Sequence, residues 1–163
     1  MPMRIRRMRA DDAFAFLRVH HAAVRELAAA DYPLEVLEEW APLPVTEAQV
    51  AGVQRNPDGE DRFVAELEGA IVGIGALVAV GSELRACYVA PEAARRGVGT
   101  ALVGALERAA LSKGVAQLVL DSSLTARRFY EHLGYEVLTR GEHVLGSGRR
   151  MACLKMRKTL ESN

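Results

Sequence analysis

Between residues 12 and 29 the apolar side chains recur every three or four positions: Phe14, Leu17, Val24 and Ala28 share one stripe, widened by Phe16, Val19 and Leu27. That is the helical period, so an amphipathic helix is expected there, opened by the acidic first turn of Asp11-Asp12. Just upstream, residues 3–8 alternate basic and apolar side chains and are expected to form an edge strand. Residues 31–40 predict a second, short helix, with Pro33 at a favourable first-turn position and Pro42 and Pro44 forbidding continuation. A third runs from Thr46, followed by Glu47 and Gln49, to the turn cluster Asn56-Pro57-Asp58-Gly59.

From Asp61 the period falls to two. Residues 62–67 and 70–80 flank Glu68-Gly69 and read as a tight hairpin, the second strand being apolar on both faces as a central strand is. A third strand is expected over 82–89. The remainder alternates: a glycine turn at 95–99, a helix over 100–113 stopped by Gly114, a strand at 117–121, and a helix over 125–133 stopped by Gly134. Two last strands, 135–145 and 150–157, are joined by Gly146-Ser147-Gly148. One strand–helix–strand unit implies a parallel pair inside a sheet otherwise made of hairpins. The expected fold is therefore α/β (α+β), a mixed, mostly antiparallel sheet of six to seven strands with helices on both faces.

Composition narrows the class. The 163 residues suit one domain, and half of them are hydrophobic while 26% are charged, which excludes disordered and fibrous chains. Twenty-one basic residues balance 21 acidic ones, so the chain lacks the field that non-specific nucleic-acid binding requires, and no nucleic-acid partner is expected. The balance hides an asymmetry: residues 1–80 hold 8 basic and 13 acidic side chains, and residues 81–163 hold 13 and 8. An anionic ligand should belong to the second half. Cys87 and Cys153 make no disulfide framework, and no charged-then-apolar leader opens the chain, so a cytoplasmic setting is expected. The longest apolar run, 70–80, is about half of what a bilayer crossing needs and contains Gly73 and Gly75, so no membrane association is expected.

The chemistry concentrates in two stretches. In Cys87-Tyr88-Val89-Ala90-Pro91-Glu92-Ala93-Ala94-Arg95-Arg96-Gly97-Val98-Gly99-Thr100 a strand passes through a glycine turn into an amphipathic helix. Glycines let successive N–H groups converge on an anion, and the helix start adds its unpaired N–H groups and positive dipole end. Two familiar phosphate loops fail here: the dinucleotide fingerprint needs glycine where Leu102 stands, and the Walker loop needs Lys-Ser/Thr where Ala105-Leu106 stands. The competing reading is that Gly97 and Gly99 only shape a strand-to-helix turn, and a second motif weighs against it. That second motif is Leu118-Val119-Leu120-Asp121-Ser122-Ser123-Leu124-Thr125-Ala126-Arg127-Arg128-Phe129-Tyr130-Glu131-His132-Leu133-Gly134-Tyr135, again a strand, a turn and a helix, closed by a glycine stop.

Together the two stretches resemble the GNAT superfamily of acyl-CoA-dependent N-acyltransferases, whose motifs run R/Q-x-x-G-x-G/A and roughly N-x-x-A-x-x-F-Y-x-x-x-G-F/Y. Ala126, Phe129, Tyr130, Gly134 and Tyr135 match, whereas Ala94 replaces the usual Arg or Gln and Ser123 the usual Asn. The resemblance implies a single N-acetyltransferase domain over 1–163, with an acceptor-side helical segment at 12–56, an acyl-CoA-binding core at 61–134 and C-terminal strands at 135–158. It implies acetyl-CoA as acyl donor, with Tyr88, Val89, Arg95, Arg96, Gly97, Val98, Gly99, Thr100, Ser123 and Phe129 binding it. The Val89 N–H is then offered to the thioester carbonyl. It also implies Tyr130 as the acid that protonates the leaving sulfur, the competing reading being simple packing beside Phe129.

Glu83, six residues before Val89, falls on the same strand face by the period of two. The resemblance implies that a glutamate at this position can deprotonate the amine through water, so Glu83 or a water is the candidate base; the competing reading is an exposed carboxylate paired with Arg85. Tyr32 and Trp40 are candidates for the acceptor pocket, Trp40 equally for a core anchor. His21 falls on the apolar stripe of the first helix and reads as an interface histidine, while His132 and His143 have no metal-ligand spacing, so no metal is expected. Expected partners are thus a small-molecule or peptide amine acceptor and, by resemblance, a second copy of the chain as a homodimer. The rival reading is a CoA-binding or sensing module of the same fold without turnover.

Overall fold

The structure is a computed structural model that describes residues 2–161. Seven strands form one sheet: β1 (Arg4–Arg7), β2 (Asp61–Leu67), β3 (Ala70–Val78), β4 (Glu83–Val89), β5 (Gln117–Ser122), β6 (Glu136–Val144) and β7 (Arg150–Thr159). Their order is β1-β2-β3-β4-β5-β7-β6, antiparallel throughout except for the β4–β5 pair. The five helices are α1 (Ala13–Leu27), α2 (Leu34–Trp40), α3 (Glu47–Arg55), α4 (Val98–Ser112) and α5 (Arg127–His132). No helix among the described residues is long and apolar enough to cross a membrane.

Local chemistry accounts for most boundaries. Glu68 and Gly69 both take positive φ, 54° and 81°, the backbone a two-residue hairpin needs. Thr46 and Gln49 cap α3 reciprocally, the Thr46 hydroxyl accepting from the Gln49 N–H and the Gln49 side-chain carbonyl accepting from the Thr46 N–H. Pro33 serves as the N-cap of α2 rather than inside its first turn.

Helix α4 lies against β3 closely enough that β3 has no room for side chains there. A Cβ on Gly73 would come within 2.7 Å of Val98 and 2.8 Å of Leu102, and one on Gly75 within 2.9 Å of Leu106. The glycines that interrupt the apolar run are therefore the seat of α4, and Leu102 and Leu106 are fully buried on them. Helix α1 takes the opposite face. Its buried seam is Ala13, Val19, Ala23 and Val24, whereas Phe14, expected on the buried stripe, is 55% exposed. Alanines at the seam let the helix approach the sheet, which a ranking by hydrophobicity alone does not anticipate. Leu27 is likewise exposed, though it lines a cleft described below.

One irregularity redirects the site. Between the pairs Ala76↔Ala86 and Leu77↔Leu84, β4 carries one extra residue, Arg85. This β-bulge reverses the alternation of faces, so Glu83 lies on the side of Tyr88, opposite Val89. The expectation that Glu83 and Val89 share a face holds only for an unbroken strand and is corrected here.

Candidate active site

The parallel pair β4–β5 is held at its start and then opens. Register pairing is confined to Glu83↔Val119, supported by the Val119 N–H donating to the Ser82 carbonyl at 2.9 Å. Two cavities meet in the resulting gap. One, of about 410 Å³, is lined by Ala23, Val24 and Leu27 of α1, by Arg95 and residues 97–100, and by Phe129. The other, of about 300 Å³, is lined by Asp58, Glu83, Arg85, Asp121, Tyr130 and His143. Trp40, Cys87, Tyr88, Ser123 and Ala126 line both.

The first cavity is shaped around the start of α4. Arg95 (φ 63°) and Gly97 (φ 79°) both adopt left-handed backbone, which curls the chain into a nest, and Gly97 is the N-cap residue. No side chain caps the helix, and its first internal bond runs from the Ala101 N–H to the Gly97 carbonyl. The N–H groups of Val98, Gly99 and Thr100 are thus left for a ligand, with the positive end of a 15-residue helix behind them. Arg95 and Arg96 are exposed beside the nest, and Arg96 does not line the cavity.

Phe129 closes the cradle. A Cβ on Gly99 would lie 2.9 Å from the Phe129 ring, so the two motifs meet where a glycine leaves space for an aromatic edge. On β4, the Ala90 N–H donates to the Val72 carbonyl at 2.7 Å, toward β3. Strand N–H groups alternate in direction, so the Val89 N–H is turned the other way, into the gap.

Tyr130 is buried, packs edge-on against Phe129 and Tyr135 at ring separations of 5.0 and 5.7 Å, and lines the second cavity. Burial, reinforced by the neighbouring Cys87 and Tyr88, raises its pKa well above the usual phenol value, so it is a protonated donor at any working pH. Cys87 lines both cavities, but burial pushes its thiol up to about 12, which leaves it without thiolate for nucleophilic attack near neutrality. Burial also drives His20 down to about 3, and its neutral ring stands edge-on to Tyr88 at 4.6 Å. His21 is buried in the α1 interface with its Nδ1 unpartnered.

The remaining sequence candidates divide. Ser123 reaches both cavities, yet its Oγ accepts the Ala126 N–H at 3.2 Å and so shapes the turn into α5. Trp40 stands at the junction of the cavities against Tyr88 and His20. Tyr32 does not: it lines neither cavity, and its hydroxyl donates to the Ala152 carbonyl at 2.6 Å while accepting the Leu124 N–H at 2.9 Å. Its work is to fasten the α1–α2 connection to β7 and to the loop before α5. Glu83 does line the second cavity, but Arg85 holds its Oε1 through two nitrogens, at 3.1 and 3.0 Å, and reaches Asp58 and Glu60 as well.

The Glu83–Arg85 pair is the competing sequence reading and is present, whereas sequence reasoning did not place Asp58, Asp121 and His143 in the site. The last two form a pair, His143 Nδ1 to Asp121 Oδ2 at 3.0 Å, while Lys155 Nζ donates to Asp121 Oδ1 at 2.8 Å. Burial works to raise the Asp121 pKa, but the hydrogen bonds from Lys155 and His143 outweigh it and hold the carboxyl below its usual value.

The family model for the acetyltransferase (GNAT) family matches residues 21–135, most of the chain. The protein belongs to the GNAT acetyltransferase family. Among solved structures, a GCN5-related N-acetyltransferase from Rhodopseudomonas palustris is similar at 31% identity and a TM-score of 0.86, over 98% of this chain and 99% of that one. The PaiA N-acetyltransferase of Thermoplasma acidophilum, solved with coenzyme A, shares the fold at 20% identity and a TM-score of 0.75, over 98% and 99% of the two chains. So does a phosphinothricin acetyltransferase from Sinorhizobium meliloti solved with acetyl-CoA, at 20% identity and 0.72, over 98% and 89%. No curated protein matches the chain.

Proposed function

We propose that this GNAT acetyltransferase moves the acetyl group of acetyl-CoA onto a primary amine by direct attack in a ternary complex. The observation that carries the reading is the pair of cavities meeting in the β4–β5 gap, one ending on the uncapped start of α4 and the other containing the Tyr130 side chain. The residues present fit a diphosphate: two left-handed positions turn the loop inward and three free amides stand at a helix start. Main-chain amides tolerate Ala94 in place of the usual arginine or glutamine. The solved folds bound to coenzyme A and acetyl-CoA support the same donor.

In this reading the apolar wall from α1 receives the pantetheine arm, and the Val89 N–H faces the thioester oxygen as negative charge develops on it. Tyr130 gives its proton to the departing sulfur. The acceptor enters through the second cavity, where Asp58, Glu83 and Asp121 outnumber Arg85 and favour a cationic amine. Glu83, held by Arg85, contributes charge to that mouth.

Thiol release from acetyl-CoA, measured across a panel of amines, tests the proposal. Tyr130→Phe keeps the packing and removes only a hydroxyl, so kcat should fall on the order of 10–1,000-fold with little change in CoA affinity. Unchanged turnover would remove Tyr130 from the mechanism. CoA binding without turnover of any amine would favour the non-catalytic module, a reading motivated by Ser123, whose hydroxyl is engaged within its own turn.

A further inference from the structure

An amine must lose a proton as it attacks a thioester, and four groups of suitable chemistry line the acceptor cavity: Asp58, Glu83, Asp121 and His143. The three carboxylates are each engaged, Asp121 by His143 and Lys155, and Asp58 and Glu83 by Arg85. Arg85 grips the Oε1 of Glu83 through two nitrogens and is itself tied to Asp58 and Glu60, so Glu83 is engaged in an ion-pair network in which only its Oε2 is free.

His143 is built differently. Its ring is about half exposed and borders the same cavity as Tyr130. Its Nδ1 lies 3.0 Å from Asp121 Oδ2, and Lys155 holds the other oxygen at 2.8 Å. An ionised carboxylate only accepts hydrogen bonds, so Nδ1 carries the hydrogen and Nε2 is the lone-pair nitrogen. The three residues come from three neighbouring strands, β6, β5 and β7, so the tautomer is fixed by the sheet rather than by a mobile loop. The charged and titratable groups surrounding this ring are Asp121 on β5, Lys155 and Cys153 on β7, and Glu142 on its own strand, paired with Arg150. Across the cavity stand Glu83, Arg85, Asp58 and Tyr130.

We propose that His143, oriented by Asp121, is the proton acceptor for the amine. This rests on the acetyl-transfer reading above. An ammonium acceptor first releases one proton to solvent; the neutral amine nitrogen then bonds to the acetyl carbonyl carbon, its N–H proton passes to His143 Nε2, the carbon–sulfur bond breaks, and the sulfur takes the Tyr130 proton. The imidazolium then returns its proton to solvent and solvent re-protonates the tyrosine, so nothing is oxidised or reduced. His143 acts as a catalytic residue and Asp121 as a positioning residue.

The test is the pH dependence of kcat/KM for the wild-type protein, its His143→Gln, Asp121→Asn and Glu83→Gln variants, and a His143→Ala variant with and without added imidazole. Calorimetric CoA binding and a thermal melt accompany each. His143→Gln should lose kcat on the order of 100-fold or more, lose the acid-side limb of the profile, and bind CoA as the wild type does. Asp121→Asn should lower kcat while leaving CoA binding intact, because the ring loses the partner that fixes its tautomer. Glu83→Gln should keep the limb, and imidazole should restore part of the His143→Ala rate. The proposal is overturned if His143→Gln keeps the limb and a rate within about twofold of wild type, or if Glu83→Gln is the variant that abolishes the limb. A wild-type protein that binds no CoA overturns the transferase reading itself, a result distinct from either of these.

Discussion

Replacing Gly99 with alanine probes the contact that joins the two halves of the site. The added Cβ would lie 2.9 Å from two Phe129 ring carbons, where ordinary contact begins at 3.4 Å, so the ring must retreat by about 0.5 Å. Overpacking of this kind costs ~1–3 kcal/mol. Exchanging glycine for alanine within a helix recovers ~0.5–1 kcal/mol, leaving a net loss of ~0–2.5 kcal/mol. At ~2–4 °C per kcal/mol for a chain of this size, Tm should drop by no more than about 10 °C. The functional effect should be larger than that suggests, because Tyr130 follows Phe129 on α5 and moves with it. A misplacement of ~1 Å can cost ~100-fold in rate, so about half that displacement should lower kcat/KM by about 10-fold. Gly104→Ala is the control in the same helix: its Cβ meets only the Arg108 guanidinium end, at 3.3 Å, and the variant should be neutral or stabilised by ~0.5–1 kcal/mol. Scanning fluorimetry and steady-state thiol release measure both. A Gly99→Ala protein with wild-type Tm and wild-type kcat/KM would refute the close packing of α4 against α5.

Two further outcomes follow from side chains outside the reacting groups. Tyr32→Phe leaves the Ala152 carbonyl and the Leu124 N–H without their partner, so stability should fall by about 1–3 kcal/mol, read as a lower midpoint in urea unfolding. Asp12 accepts hydrogen bonds from the two terminal guanidinium nitrogens of Arg6, at 2.8 and 3.1 Å, and from the Arg9 N–H at 2.7 Å; the Arg6 hydrogen bonds outweigh burial and lower the Asp12 pKa. A lowered carboxyl pKa adds stability that is complete above the unfolded-state value of about 4 and is lost as pH falls through the folded-state value. Asp12→Asn should therefore be less stable at neutral pH by about 1.5–3 kcal/mol and lose less on acidification, and an identical acid-melting curve for the two proteins would contradict this.

What the sequence disclosed, and what it did not, divides along a physical line. The α4 cradle was legible because its determinants are local: Gly97 and Gly99, a strand before them, and an amphipathic helix after. The hairpin at Glu68-Gly69, the α3 cap and the one parallel strand pair were legible for the same reason. Properties set by partners distant in the chain were not. The Arg85 bulge exists only in the pairing of β4 with β3, and it moves Glu83 to the face opposite Val89. Phe14 outranks Ala13 and Ala23 in hydrophobicity, but the sheet selects the small residues where α1 approaches it. Tyr32 was read by its aromatic character, whereas its hydroxyl bonds to positions 92 and 120 residues away decide its role. The Asp121–His143 pair needs the strand order β5-β7-β6, and no spacing along the chain encodes that order.

Acetyl transfer here requires a diphosphate held by the free amides at the start of α4, so that the thioester reaches the gap beside Tyr130. A crystal structure of the protein with coenzyme A measures this directly. It should place the diphosphate on the N–H groups of residues 98–100 and the sulfur in the cavity junction formed by Cys87, Tyr88 and Ser123. A nucleotide bound elsewhere, with that loop left to solvent, would contradict the assignment of acetyl-CoA to this site.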